Sequence, residues 1–144
     1  MVIGVIAKHM REAMLEGYEV NYEEVKKLKA DRILELPWDC LDENEFLYLY
    51  KNNGVVCAAI RLSEDPLEDW IWIDEFEVVR DFRHNGLGRQ IICDFLNDSD
   101  QIIKLQAKNR TVAEFWQKCG FEYENLSWDE ILMRYIPKSY NKIQ

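Results

Sequence analysis

A chain of 144 residues fits one domain and can bury a core without disulfides or metal staples. Its 48% apolar and 31% charged content, with six Gly and three Pro, excludes collagen-like, low-complexity and wholly disordered chains. The formal net charge of -9 argues against non-specific nucleic-acid binding and against docking on an acidic membrane, and it favours cationic small molecules or basic tails as partners.

In chain order, the apolar spacing of Ala7, Met10, Met14 and Leu15 predicts a helix over residues 7–16. Residues 2–6 are apolar, and their pattern fits a short strand or the start of that helix. Asn21 is placed to cap a second helix running through Val25 and Leu28 towards Ile33, with Pro37 as its stop. Residues 46–50 and 55–62 read as a hairpin around Asn52-Asn53-Gly54. An acidic loop over 63–69 leads to a third strand over 70–79. Ile91, Ile92, Phe95 and Leu96 then mark a helix behind a glycine turn. A strand over 102–107, a helix over 111–118 ended by Gly120, and strands over 121–123 and 131–136 complete the chain. This order predicts an α+β domain with a mixed, mostly antiparallel sheet, as a single domain over residues 1–144.

No signal is seen for a secretory leader, and the apolar runs are far too short to span a bilayer, so the expected location is cytoplasmic. Cys40, Cys57, Cys93 and Cys119 form no close pair and the histidines are His9 and His84, so no metal is expected and the thiols read as reduced, buried groups.

The segment Arg83-His84-Asn85-Gly86-Leu87-Gly88-Arg89 follows a strand and opens a helix. A glycine turn there exposes backbone N–H groups to an anion, and the helix dipole adds to the attraction. Glycines alone equally make an ordinary turn and cap. The setting and a local island of three Arg against one Asp over residues 80–89 favour the anion. The spacing is not that of a dinucleotide-binding loop, and no Gly-Lys-Ser/Thr follows to make a P-loop. A second segment runs Asn109-Arg110-Thr111-Val112-Ala113-Glu114-Phe115-Trp116-Gln117-Lys118-Cys119-Gly120-Phe121.

Together with the strand from Ile73 to Val79, these segments resemble the GNAT superfamily of acyl-CoA-dependent N-acetyltransferases over residues 46–136. The first 45 residues show no comparable likeness. The resemblance implies a sheet that splays between its fourth and fifth strands to take acetyl-CoA as co-substrate. It implies that Phe76 and Val78 offer backbone groups to the pantetheine arm, and that Arg83, His84, Asn85, Gly86, Leu87, Gly88 and Arg89 wrap the pyrophosphate. By the same resemblance Asn109 meets the cofactor arm, and Lys104, Lys108 and Arg110 are candidates for the 3′-phosphate. Dimers are common in that family, and exposed strand edges would permit a homodimer.

Acetyl transfer to a primary amine needs the amine to lose a proton, since a free amine titrates near ~10. The resemblance points to Glu75 or Asp74 as the catalytic carboxylate, acting by direct attack in a ternary complex. Strict alternation would put Asp74 with Phe76 on one face and Glu75 with Glu77 on the other. Those acids read otherwise as solvent-facing partners of Arg61 or Arg134. Seven carboxylates and no Lys or Arg between residues 64 and 77 suit a small cationic amine, a lysine side chain or an N-terminal amine. Where many members carry a Tyr that protonates the leaving thiolate, this chain carries Trp116, leaving Tyr123, Tyr135 or a water as stand-ins. That departure keeps open an alternative: a weakly catalytic CoA-binding or interaction module.

Overall fold

The structure, a computed structural model, describes residues 15–38 and 44–140. Among the described residues, seven strands form one sheet: β1 (Leu15–Val20), β2 (Glu45–Asn52), β3 (Val55–Glu64), β4 (Trp70–Val78), β5 (Ile102–Gln106), β6 (Glu122–Leu126) and β7 (Ile131–Tyr135). The helices are α1 (Tyr22–Ala30), α2 (Leu87–Asn97) and α3 (Arg110–Cys119), and a 3₁₀ turn spans Arg80–Phe82. The sheet order is β1-β2-β3-β4-β5-β7-β6; β4 and β5 run parallel and every other neighbouring pair is antiparallel. This is the α+β, mostly antiparallel arrangement the pattern predicts. No helix among the described residues is long and apolar enough to cross a membrane.

The β2–β3 hairpin closes on Asn53 and Gly54, at φ 52° and 81°, which fits the positive-φ turn that the Asn-Asn-Gly sequence demands. Two expectations at the N-terminal side need correction. Leu15 and Glu16 belong to edge strand β1, not to a helix; the rest of that expected helix, and residues 2–6, lie outside the described residues. The strand was hard to read because LEGYEV contains a glycine and buries only Val20. Gly17 is required by its neighbour: a Cβ there would stand 2.6 Å from Cε1 of Tyr50.

The second correction concerns α1. Asn21 caps it as expected, accepting from the Glu24 amide at 3.1 Å. The helix ends at Ala30, well before Pro37. Arg32 takes φ 60°, and the amides of Arg32 and Ile33 reach back to Lys29 and Leu28 carbonyls at 3.1 and 2.9 Å. This is a Schellman stop built on an arginine where a glycine usually marks it.

The two faces of the sheet bury separate clusters. On one, Ile91, Ile92 and Leu96 of α2 with Ala113 and Trp116 of α3 pack on Ile60, Leu62, Ile73, Ile103, Leu105 and Met133. On the other, Val25 of α1 with Leu34 and Trp38 packs on Leu47, Leu49, Ala59 and Val79. Each fully buried Leu or Ile contributes about 1.5–3 kcal/mol. The two clusters meet on β3, which gives Ala58, Ile60 and Leu62 to one and Ala59 to the other.

Candidate active site where β4 and β5 part

β4 and β5 pair only from Trp70/Ile102 to Ile73/Leu105. Beyond that point β4 runs on to Val78 beside β3, while β5 ends at Gln106 and leads into α3. The divergence leaves a notch of about 180 Å³ lined by Ile73, Asp74, Glu75, Phe76, Leu105, Gln106, Lys108, Val112 and Trp116. The Val79 amide donates to the Cys57 carbonyl at 2.8 Å, so Val79 faces its β3 partner. Strand alternation then turns the backbone N–H and C=O of Phe76 and Val78 away from β3, towards the notch. The Val78 carbonyl there accepts from Nε of Arg83 at 2.7 Å.

The acids of β4 are sorted by a bulge. Arg61 pairs with Glu75 and Leu62 with Ile73, so Asp74 is an inserted residue and both acids stand opposite Arg61. Strict alternation therefore fails: Ile73 and Phe76 share the α2/α3 face, and Asp74 joins Glu75 on the other. Burial is the main cause that raises the Asp74 carboxyl above the ordinary range; Ser63, through a hydrogen bond, lowers it, nearby Glu45 raises it and Arg61 lowers it. The residue as a whole remains exposed. Glu75 Oε1 lies 3.7 Å from Nζ of Lys108, which rises from the β5–α3 connection. Arg134 pairs instead with Glu122 and Glu124 at 3.0 and 3.7 Å, and takes no part in the β4 cluster.

Glu77 has a different office. Only 4% exposed, it accepts from the amides of Glu35 and Leu36 at 2.7 and 3.0 Å and from Trp38 Nε1 at 2.9 Å. Arg83 stands 3.6 Å away. The carboxylate pins the 35–38 segment to the sheet and is not available to a substrate.

The residues of the glycine turn divide between surface and core. Gly86, at φ 81°, is the N-cap of α2, with open space where a Cβ would be. The caps of α1 and α3 spend a side chain on a first-turn amide, Asn21 on Glu24 and Asn109 on Val112 at 2.9 Å. Gly86 spends none, and the first turn of α2 carries no acid. His84 sits at φ 66°, and His84, Asn85 and Arg89 are exposed around the turn. Leu87 is a core residue whose amide is taken by Asn85 Oδ1 at 3.2 Å. Gly88 serves packing: a Cβ would lie 3.1 Å from Val78 Cγ2 and 3.6 Å from the Phe115 ring.

The expected basic island is largely answered by acids. Arg80 makes two bonds to Glu35 at 3.0 and 2.9 Å, and Arg83 stands 3.5 Å from the same carboxylate. The Arg80 hydrogen bond is the first cause holding Glu35 below the usual range. The attraction for an anion therefore rests on backbone amides more than on Arg side chains. Lys104 is likewise engaged, 2.9 Å from Glu124 and 3.7 Å from the Trp70 ring centroid. Arg110 is exposed at the start of α3.

Trp116 is only 7% exposed and packs between Phe76, Phe115 and Phe121, at centroid distances of 5.9, 5.1 and 5.4 Å. Neither Tyr123 nor Tyr135 is among the residues lining the notch. Burial raises the Cys57 and Cys119 thiols to about 11 and about 12, so neither is a ready thiolate. Cys40 and His9 lie outside the described residues. Lys108 lines the notch beside Glu75, a juxtaposition that no local sequence signal announces.

The sequence profile described as "Acetyltransferase (GNAT) family" matches residues 9–121. An uncharacterized N-acetyltransferase of Shouchella clausii is 36% identical over 58 residues, which is 40% of this chain and 34% of that protein. The match thus spans about a third of that relative's length. The spermidine N-acetyltransferase of Vibrio cholerae, solved with CoA and spermine, superposes with a TM-score of 0.67 at 13% identity, covering 90% of this chain and 99% of that one. A GNAT family acetyltransferase of Elizabethkingia anophelis, solved with acetyl-CoA, gives 0.61 at 15% identity, with 85% and 98% covered. At such identities these structures share the fold. With the profile matching over most of its length, the chain belongs to the acetyltransferase (GNAT) family.

Proposed function

We propose that the chain transfers an acetyl group from acetyl-CoA to a primary amine, by direct attack with both substrates bound. The observation that carries this reading is the parting of β4 from β5, which turns the backbone groups of Phe76 and Val78 into a narrow notch near a helix N-terminus whose cap, Gly86, has no side chain to spend on the first-turn amides. The residues fit the co-substrate. A slot of about 180 Å³ suits a slender pantetheine arm, and open space at Gly86 with no acid in the first turn of α2 suits a pyrophosphate.

Phe76 and Val78 would hold the arm through their backbone groups. His84, Asn85, Gly86, Gly88 and Arg89 would surround the phosphates, with Arg83 and Leu87 fixing the turn from behind. Asn109 would meet the arm from the start of α3. Acetyl-CoA supplies an activated thioester; the chain's task is to place it and to manage protons. Glu75, inside the notch, takes the proton that the attacking nitrogen sheds, and Asp74 beside it adds negative charge that draws in a cationic amine. The likeness to a spermidine acetyltransferase and the carboxylates of residues 64–77 support a small cationic acceptor, with a lysine or N-terminal amine as the macromolecular version. Trp116, with Tyr123 and Tyr135 outside the notch, favours a second reading in which the fold binds CoA and turns over weakly.

Release of free thiol from acetyl-CoA, dependent on an added amine, separates the two. Amine-dependent release supports transfer. Thermal stabilisation by CoA and acetyl-CoA without release across a panel of polyamines and lysine peptides supports the binding module. No stabilisation by either, with NAD and ATP as controls, refutes both.

A further inference from the structure

A leaving thiolate is best met by a proton donor, and the indole N–H of Trp116 is not a usable acid. The notch contains one cation among its described lining residues, Lys108. Its Nζ lies 3.7 Å from Glu75 Oε1. Lys108 also lines the two recesses that continue outward, one with Trp72, Asp74 and Asp129 and one with Asn109, Trp128 and Glu130. It thus stands where the notch opens to both recesses. Asp74, the other ionisable group beside Glu75, is turned towards Ser63, Glu45 and Arg61 on β2 and β3.

We propose that Lys108 meets the leaving sulfur and, with Glu75, closes a proton circuit; this rests on the acetyl-transfer reading above. The balance is complete. The amine nitrogen forms the C–N bond, the C–S bond breaks, and its electron pair goes to sulfur. Glu75 takes the proton shed by nitrogen, and the Lys108 ammonium gives one to sulfur. The proton on Glu75 then passes to the neutral Lys108 amine, and both side chains regain their starting charges. The contact must close to hydrogen-bond length or be bridged by a water, and the 70% exposed Lys108 side chain has the freedom to do so. In water an ammonium near ~10.4 is a weak acid towards a thiolate near ~8.5, so the ammonium's charge beside the sulfur is what favours departure before the proton moves.

The test titrates the thiol of CoA bound to the full chain, followed by thiolate absorbance, in wild type, Lys108→Met and Lys108→Arg. It is paired with amine-dependent thiol release. A cation beside the sulfur makes the bound thiol about tenfold or more acidic in wild type than in Lys108→Met. Lys108→Arg keeps that acidity, because the charge is kept. It loses turnover as Lys108→Met does, because a guanidinium holds its protons. Identical thiol titration in wild type and Lys108→Met overturns the proposal, and so does full turnover by Lys108→Arg. If wild type binds no CoA, the acetyl-transfer reading itself fails, a different result. Unliganded melting of the variants checks that this exposed side chain is not needed for folding.

Discussion

Three acids crowd β4, and removing each should give a different signature, most sharply for Glu77→Ala. Its carboxylate receives three N–H groups, and an Arg guanidinium stands 3.6 Å away. A hydrogen bond to a charged group is worth about 1.5–3 kcal/mol net, which sets a gross ceiling near ~9 kcal/mol. The amides of Glu35 and Leu36 are only partly buried and can turn to water, so most of their share is recovered. The Trp38 indole N–H cannot, because that residue is 3% exposed. One orphaned donor, one lost ion-pair partner and the cavity left by the side chain together cost about 3–5 kcal/mol. Urea denaturation followed by tryptophan fluorescence measures this directly. Glu77→Gln should cost less, since its carbonyl still accepts from one donor. A loss under about 1 kcal/mol for Glu77→Ala would refute the clamp. So would normal stability with selective loss of turnover, which would make Glu77 a reacting group.

Glu75→Gln should leave the melting temperature within about 2 °C, since Lys108, its ion-pair contact among the described residues, is exposed, yet lower turnover about 10²–10⁴-fold, as read by thiol release. Gly86→Val puts a β-branched residue at φ 81°, which costs about 1–3 kcal/mol in strain, and it fills the open side of the turn. CoA affinity by calorimetry should fall at least about tenfold, and unchanged affinity would remove the turn from the phosphate site. Asp74 has a raised folded-state carboxyl, so its proton stabilises the native state below the unfolded value, and that contribution is lost as pH rises through the folded one. Asp74→Asn should therefore gain stability over wild type as pH rises from about 4 to 7, and a gain confined to acid pH would contradict the sign. Trp116→Tyr should change wild-type turnover little while restoring part of what Lys108→Met loses, because a phenol can supply the missing proton.

Much of this site could be read before any coordinates, and the residues that could not share a physical cause. Turns and caps announce themselves locally: Asn53-Gly54, Gly86, Asn21 and Asn109 all occupy the positions their chemistry suggests. The apolar faces of α2 and α3 are equally local, because helical spacing reports burial directly. What stayed hidden depends on pairing between distant segments. The glycine in β1 makes sense only beside Tyr50 of β2. The Arg32 helix stop lacks the residue that normally betrays it. The Arg80 and Arg83 charges are cancelled by Glu35, more than forty positions earlier, and by Glu77.

The bulge at Asp74 shows most clearly why sequence alone does not fix which way a strand residue points. A period of two is the only guide to which way a strand residue points, and one inserted residue reverses it from there on. Here the reversal keeps Ile73 and Phe76 on the apolar face, so the core gains nothing by forbidding it. It also brings Asp74 beside Glu75 at the place where β5 leaves. Had alternation held, Phe76 would have pointed away from Phe115 and Trp116, and the notch would lack its aromatic floor. The insertion therefore sets the acids without disturbing the floor, and deleting Asp74 should separate the two. The chain without residue 74 regains a regular ladder, with Ile73 opposite Leu62, Glu75 opposite Arg61 and Phe76 opposite Ile60. Glu77 keeps the Trp38 indole that it holds at 2.9 Å. Stability by urea denaturation should therefore survive that deletion, and a loss as large as that of Glu77→Ala would refute the bulge.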